Sequence, residues 1–148
     1  MQVRDLMSRY VEVVSHDTGV KEAARKMRDL NVAVLPVCDG AVLTGIITIR
    51  DIALRMAAEG HDALLTQVGE IMTRDLTYCF EDQDIEHAAI VMDAYQIDRL
   101  PVLDRNKQLV GIVSKSDILP RSRQHGAAMV PEIAVLPAQY TDATISRR

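Results

Sequence analysis

Apolar residues recur at steps of three and four in two stretches of the chain, and this spacing predicts two amphipathic helices. The first stripe consists of Val20, Ala23, Ala24, Met27 and Leu30. The second consists of Ile85, Ala88, Ala89, Met92 and Tyr95. N-caps are predicted at Asp17 or Thr18 for the first helix and at Asp82 for the second, because these side chains can accept a backbone N–H. The two stripes match position for position, which indicates two copies of one element.

Two short β-rich runs follow each of these helices and predict two strands per copy. The first strands, 32–37 and 97–102, both contain Leu-Pro-Val, and turn residues separate them from the second strands, 42–47 and 109–113. Because proline has no N–H to donate, the strand that contains it is expected to lie at a sheet edge or to end near the proline. A further β-rich run, 11–14, precedes the first helix.

A second helix is predicted at the end of each copy. In the first copy it starts near Asp51 and runs to about Glu59, where Gly60 can close it. In the second copy it starts near Asp117 and meets Pro120 at once. This second helix is therefore expected to be cut short or bent.

The elements occur twice because the sequence is duplicated. Residues 3–52 reappear as 68–118, at an offset of 65 residues that becomes 66 after one insertion. The most specific shared pattern is Gly-x-x-(Thr/Ser)-x-x-Asp, which spans Gly45–Asp51 and Gly111–Asp117. Two copies are too few for a solenoid, so they are expected to pack on each other around a pseudo-twofold axis and to form paired clefts.

The predicted class is α/β (α+β), with one repeat at 1–62, a second at 63–122 and a C-terminal extension at 123–148. The extension contains an apolar patch that a solvated tail would not need. Its members are Val130, Ile133, Val135, Leu136 and Tyr140. The extension is therefore expected to dock on the module or on a partner subunit.

Composition narrows the classes of function. The chain has 148 residues, a formal net charge of -4 and only 3% aromatic residues. A nucleic-acid binder would be basic or would offer stacking aromatics, so no nucleic-acid partner is expected. No apolar run approaches the ~18 residues of a membrane span and the N-terminus lacks a signal peptide, so the expected location is the cytoplasm, with no membrane partner. Cys38 and Cys79 are interpreted as buried small hydrophobes, with a disulfide between them left open.

In these shared motifs the sequence resembles the CBS-domain family, named for cystathionine β-synthase. The resemblance covers about residues 1 to 120 and rests on Leu-Pro-Val, on Gly-x-x-(Thr/Ser)-x-x-Asp and on a lead-in segment ending in Met, Val3–Met7 and Val68–Met72. It implies tandem β-α-β-β-α units that bind an adenosine-containing ligand, AMP or ATP first, in the clefts between them. It also implies a homodimer and a regulatory role toward a protein partner that the sequence does not identify, without a catalytic cofactor.

Carried over residue by residue, the resemblance implies two ligand sites. In each, the Asp of the pattern accepts hydrogen bonds from the ribose hydroxyls, the Thr or Ser hydroxyl assists, and the adenine lies between apolar strand residues of the other unit. The first site combines Thr48, Asp51, Thr77, Tyr78, Arg99 and Leu100. The second combines Ser114, Asp117, Val11, Val13, Val34 and Leu35. Bonds from O–H donors to a carboxylate are charge-assisted and stronger than neutral ones.

These residues also have interpretations that involve no ligand. Thr48 with Asp51, and Ser114 with Asp117, have the spacing of capping boxes, and one carboxylate can serve both roles. Arg99 lies in an otherwise apolar strand, so it either reaches a phosphate or occupies an exposed strand edge.

No metal site or catalytic site is predicted. The four histidines show no i, i+4 pairing and no nearby Cys, and the sequence lacks Gly-x-Ser-x-Gly, Walker and His-Glu-x-x-His motifs. Arg50 and Lys115, which precede the motif Asp residues, are interpreted as solvated charges. The predicted function is a small regulatory ligand sensor, and the alternatives are a ligand-free dimerisation scaffold and an enzyme of unknown type.

Overall fold

A computed structural model of the protein describes residues 1–122, with side chains as far as Leu119. The apolar patch predicted in the C-terminal extension lies outside these residues. The described chain forms two compact units. We name them the central unit, Glu12–Leu76, and the terminal unit, which joins Met1–Val11 to the chain from Thr77 onward.

The central unit holds one antiparallel strand pair and the helices that flank it. Its elements are α1 Val20–Leu30, β1 Val34–Asp39, β2 Val42–Thr48, α2 Ile49–Asp51, a π-helical segment Ile52–Met56, α3 Ala57–Glu59 and α4 Val68–Ile71. The α2, π-helical and α3 segments follow one another without a break. Gly60, with a φ of 71°, ends the last of them as predicted, because glycine adopts the left-handed conformation without steric cost.

The terminal unit repeats this plan with one more strand. Its elements are a 3₁₀ turn Val3–Asp5, β3 Cys79–Phe80, α5 Ile85–Tyr95, β4 Arg99–Leu103, β5 Leu109–Ser114 and α6 Lys115–Ser122. β4 pairs antiparallel with β5 and parallel with β3. The register is also repeated, because Arg99 lies opposite Ser114 as Val34 lies opposite Thr48. α6 continues to Ser122, so Pro120 does not end this helix at once.

The two predicted apolar stripes form the inner faces of α1 and α5. The buried members are Val20, Ala23 and Met27 in the central unit and Ile85, Ala88 and Met92 in the terminal unit. Residues at these steps fall on one face of a helix, which explains why the pattern located both elements. Leu30 and Tyr95, the last members of the stripes, are exposed.

The predicted N-caps of these helices are wrong by one or two residues. Gly19 precedes α1 in place of Asp17 or Thr18, and Asp84 precedes α5 in place of Asp82. The Thr18 hydroxyl instead accepts a backbone N–H at 3.0 Å in the preceding turn. Asp82 forms an ion pair with an arginine. In both cases another contact uses the side chain that could have capped the helix, a local one at Thr18 and one with Arg105 at Asp82.

Pro101 lies inside a middle strand. β4 has neighbours on both sides, and the strand ends two residues after the proline. The two-residue β3 pairs only with Val102 and Leu103, so it requires no hydrogen bond from the proline. In the central unit, the β-rich run 11–14 joins the sheet only through a parallel bridge from Val14 to Val37.

Each unit combines the sheet of one repeat with the lead-in segment of the other. The buried lead-in residues are Val3 and Met7 in the terminal unit and Val68, Ile71 and Met72 in the central unit. Matching antiparallel bridges, from Ser8 to Ile112 and from Thr73 to Ile46, hold the residue that follows each segment. From here on we include Ser8 and Thr73 in the lead-in segments. The bounds of the repeats therefore mark the duplicated sequence. They do not mark the packed units, because each unit contains the lead-in segment of the other repeat.

Cys38 and Cys79 are buried free thiols, one in each unit. Burial raises the pKa of Cys38 to about 11 and that of Cys79 to about 12, because an apolar environment disfavours the thiolate. Both fit the interpretation as small buried hydrophobes. Within residues 1–122, no helix has the length and apolar character needed to cross a membrane.

Candidate functional site

The first motif joins β2 to α2 in the central unit. The Asp51 N–H donates to the Thr48 hydroxyl at 2.9 Å, and the Thr48 N–H donates to the Asp51 Oδ2 atom at 3.0 Å. These reciprocal bonds form a capping box. The interpretation of Thr48 and Asp51 as a helix start is therefore confirmed.

Asp51 has further partners from its own unit. The Thr73 hydroxyl donates to Oδ1 at 2.8 Å, and Arg55 Nε lies 3.9 Å from the same oxygen. Arg55 also donates to the carbonyl oxygens of Ile71 and Met72, both at 3.1 Å. Only 8% of Asp51 is exposed. The central unit thus supplies the hydrogen bonds that a buried carboxylate requires.

The second motif joins β5 to α6 in the terminal unit, and its carboxylate is exposed. The Asp117 Oδ2 atom accepts the Ser114 N–H at 2.9 Å and the Ser114 hydroxyl at 2.6 Å. Among the residues whose side chains are described, no donor bonds to Asp117 Oδ1. The two motifs share a sequence pattern but place their carboxylates in different surroundings.

Arg99 and Leu100 begin β4 beside the second motif. Arg99 is exposed and lies directly opposite Ser114. Opposed residues of an antiparallel pair project from the same face of the sheet, so the guanidinium and the Ser114 hydroxyl share one side. Leu100 is buried in the core of the terminal unit. The structure thus places Arg99 opposite Ser114 in its own unit, and the assignment of Arg99 to the site of Asp51, which the resemblance implies, stays a prediction.

Val34 occupies the matching position in the central unit, opposite Thr48. Val34 is half-buried, and Leu35 beside it is buried in the core. An apolar side chain replaces the cation here. The first motif therefore has no counterpart of Arg99 at this position of its own strand pair.

The remaining predicted residues lie on the segments before the helices. Tyr78 is buried and packs edge-to-face against Phe80, with ring centroids 5.5 Å apart. Thr77 and Val11 are half-buried in the terminal unit, and Val13 is half-buried in the central unit. Each predicted site draws residues from both units, and these combinations remain predictions.

Gly45 and Gly111, the first residues of the motifs, have a role that the sequence analysis missed. A Cβ added at Gly45 would lie 2.7 Å from the Thr73 carbonyl oxygen, and one at Gly111 would lie 2.8 Å from the Ser8 carbonyl oxygen. Each glycine therefore lets a lead-in segment approach a strand. The signal was present, since glycine inside a strand pattern indicates a close approach of another backbone.

Lys115, interpreted from the sequence as a solvated charge, is partly exposed and has a partner at the surface. Its ammonium group forms an ion pair with Asp93 of α5, and the hydrogen bond to that carboxylate raises the pKa of Lys115. The Lys115 N–H also donates to the Asp98 carbonyl at 2.7 Å. Lys115 thus connects α6 to α5, whereas Arg50 is exposed as predicted.

A groove of about 450 Å³ lies in the central unit beside the first motif. Its lining residues are Ala24, Met27, Arg28, Asn31, Val32, Ala33, Ile49 and Ile52. None of the predicted ligand-binding residues lines it, and most of the lining is apolar. Within the described residues, no group of three or more His, Cys, Asp or Glu side chains could hold a metal ion.

Comparisons with known proteins cover both repeats. The family model described as CBS domain matches residues 3–58 and 68–123. The CBS domain-containing protein YhcV of Bacillus subtilis (strain 168) is 41% identical over 116 residues, which cover 78% of this chain and 81% of that protein.

Solved structures of CBS proteins resemble the chain as well. The CBS domain pair of protein MJ0100, in complex with 5-methylthioadenosine and S-adenosyl-L-methionine, is 35% identical with a TM-score of 0.67, over 85% of this chain and 96% of that chain. CBSX2 in complex with AMP is 25% identical with a TM-score of 0.71, over 84% of this chain and 98% of that chain.

Proposed function

This chain belongs to the CBS-domain family, and we propose that it is a small regulatory module that senses an adenosine-containing ligand, with AMP and ATP as the first candidates. The proposed sites are the clefts between the two repeats. The observation that carries the proposal is the exposed carboxylate of Asp117, whose Oδ1 atom accepts no hydrogen bond from the described residues.

The chemistry of the second motif suits a ribose. Ser114 orients the Asp117 side chain through two bonds to Oδ2, which leaves Oδ1 to accept ligand hydroxyls. Bonds of this kind are charge-assisted and therefore stronger than neutral ones. Arg99, opposite Ser114, offers a guanidinium on the same side, and guanidinium groups bind phosphate oxygens in a bidentate manner. Hydroxyl, carboxylate and guanidinium groups thus match the polar parts of a nucleotide.

The ligands of similar proteins support the same class of molecule. The MJ0100 domain pair holds two adenosyl compounds that lack a phosphate, and CBSX2 holds AMP. The adenosine moiety is common to all three. We therefore place adenosine recognition first and phosphate recognition second.

A regulatory role follows from linkage between binding and conformation. A ligand that binds one arrangement of the repeats better than another shifts the population toward it, and a partner protein can respond to that shift. The sequence lacks the Gly-x-Ser-x-Gly motif of hydrolases, the Walker motif of nucleotide hydrolases and the His-Glu-x-x-His motif of zinc proteases. The proposal therefore includes no reaction.

A ligand-free dimerisation scaffold is the second candidate function. It is favoured by exposed apolar side chains on the helices of the central unit, at Leu30, Ile49 and Leu54. The apolar groove lies on the same elements, since Ile49 helps to line it. A homodimer formed through these helices would cover such a surface with or without a ligand.

A thermal-shift screen separates the two candidates. The compounds are adenosine, AMP, ADP, ATP, S-adenosylmethionine and NAD, with guanosine monophosphate and ribose 5-phosphate as controls for the base. A ligand at 100 times its Kd adds about 2.7 kcal/mol to the stability of the folded state. Selective stabilisation by adenosine compounds supports the sensor. If no adenosine compound changes the melting temperature, and calorimetry finds no binding, the scaffold replaces it.

A further inference from the structure

The two motifs differ in which groups donate hydrogen bonds to their carboxylates. In the central unit the Thr73 hydroxyl donates to Asp51 Oδ1 at 2.8 Å. Ser8 is the counterpart of Thr73 in the first lead-in segment. The Ser8 hydroxyl donates instead to the Tyr10 carbonyl at 3.2 Å. Among the described residues, a hydroxyl from outside the motif thus donates to the motif carboxylate in the central unit only.

The two carboxylates also differ in access. Asp51 is buried, with Oδ2 bonded to the Thr48 N–H and Oδ1 bonded to Thr73 and near Arg55. Asp117 is exposed, and both of its described bonds fall on Oδ2. A ligand hydroxyl can therefore bind Asp117 Oδ1 without breaking the bonds from Ser114. At Asp51 the Thr73 hydroxyl already donates to Oδ1.

We infer that Thr73 is an internal competitor that sets the ligand affinity of the first motif. The inference rests on the proposed function and deepens it. A ribose hydroxyl binds Asp51 Oδ1 only in exchange for the Thr73 hydroxyl, one O–H donor for another. The motif of Asp117 is consequently the higher-affinity of the two, and the motif of Asp51 fills at higher ligand concentration.

The exchange is local because the Thr73 backbone is held independently of its side chain. The Thr73 N–H donates to the Ile46 carbonyl at 2.8 Å, and the Ile46 N–H donates to the Thr73 carbonyl at 2.9 Å. Rotation about the Cα–Cβ bond can withdraw the hydroxyl without moving the strand pairing. Thr73 is therefore a positioning residue that acts through Asp51.

The test uses an Asp117→Asn background, in which binding at the second motif is weakened. Calorimetric titration with adenosine and with AMP is carried out on the wild type, on Asp117→Asn, and on Asp117→Asn combined with Thr73→Val or Thr73→Ser. Valine has nearly the shape of threonine but no hydroxyl, and serine keeps the hydroxyl. Thr73→Ala serves as a second hydroxyl-free variant if the valine variant does not fold, and circular dichroism melting checks every protein.

Removal of the competing hydroxyl is expected to increase the affinity of the first motif about ten-fold, which corresponds to about 1.4 kcal/mol. The serine variant should bind like Asp117→Asn alone. Unchanged affinity in the hydroxyl-free variants overturns the role of Thr73, while binding to the wild type preserves the proposed function. Absence of adenosine and AMP binding in the wild type and in every variant overturns both.

Discussion

Gly45 and the Thr73 carbonyl oxygen are so close that a Cβ on residue 45 would lie 2.7 Å from that oxygen. Gly111 and the Ser8 carbonyl oxygen repeat the relationship at 2.8 Å. The first residue of each motif must therefore be glycine, because any side chain there would clash with the backbone of the lead-in segment. The motif has a structural role at its first residue and a proposed binding role at its last.

Gly45→Ala should destabilise the protein by roughly 1–3 kcal/mol, because the added methyl group must displace backbone. Chemical denaturation measures the change in the free energy of unfolding. Gly19→Ala is the matched control, since an added Cβ there meets nothing within 4 Å and the φ of Gly19 is −63°. The control should change stability by no more than about 0.5 kcal/mol, because the small cost of alanine at the N-cap of α1 is offset by the lower conformational entropy of alanine in the unfolded chain. Equal stability of the two variants would contradict the close-approach argument.

Asp51→Asn should cost more stability than Asp117→Asn. Asparagine at residue 51 keeps an acceptor for the Thr48 N–H, and its NH₂ can donate to the Thr73 hydroxyl, but it removes the charge of a buried carboxylate that lies 3.9 Å from Arg55. Loss of this buried charge is expected to cost about 1–3 kcal/mol. Asp117 uses a single oxygen, so its asparagine variant should unfold near the wild-type denaturant concentration. Equal unfolding midpoints for the two variants would count against the different surroundings of the two carboxylates.

Arg99→Ala should weaken binding of AMP more than binding of adenosine, because only AMP carries the phosphate that a guanidinium would contact. Calorimetric titration gives both affinities. Arg50→Ala is the control, since Arg50 is also exposed and precedes Asp51 within the first motif. It should leave the ratio of the two affinities unchanged. Equal losses for AMP and adenosine in Arg99→Ala would assign Arg99 to packing or folding.

The protein is expected to be a homodimer at micromolar concentration, formed through the apolar helices. Light scattering measures the mass. Leu54→Asp, on the exposed π-helical segment, should weaken the dimer by placing a charge in the interface. Leu65→Asp, equally apolar and more exposed but outside the helices, should leave it intact. A monomeric wild type would rule out this assembly without affecting the motif assignments.

The sequence could predict the features that depend on local spacing. Stripes such as Val20, Ala23 and Met27 located the long helices, and the duplication located matching strand pairs. The exchange of lead-in segments could not be predicted, because a repeat identifies copies and not packing partners. The bond from Thr73 to Asp51 joins residues 22 positions apart whose types alone suggest no pairing. The same pattern therefore could not reveal that one carboxylate is buried and the other exposed.

The most direct test of the central claim is calorimetric titration of AMP and adenosine into the wild type and into Asp117→Asn. Asparagine preserves the acceptor for Ser114 but removes the charge that strengthens bonds to ribose hydroxyls. The wild type should bind, and the variant should fold normally while losing about ten-fold in affinity at its tighter site, since a charged partner adds roughly 1.4 kcal/mol or more. A wild type that binds no adenosine compound, or a variant that binds as the wild type does, would contradict the account.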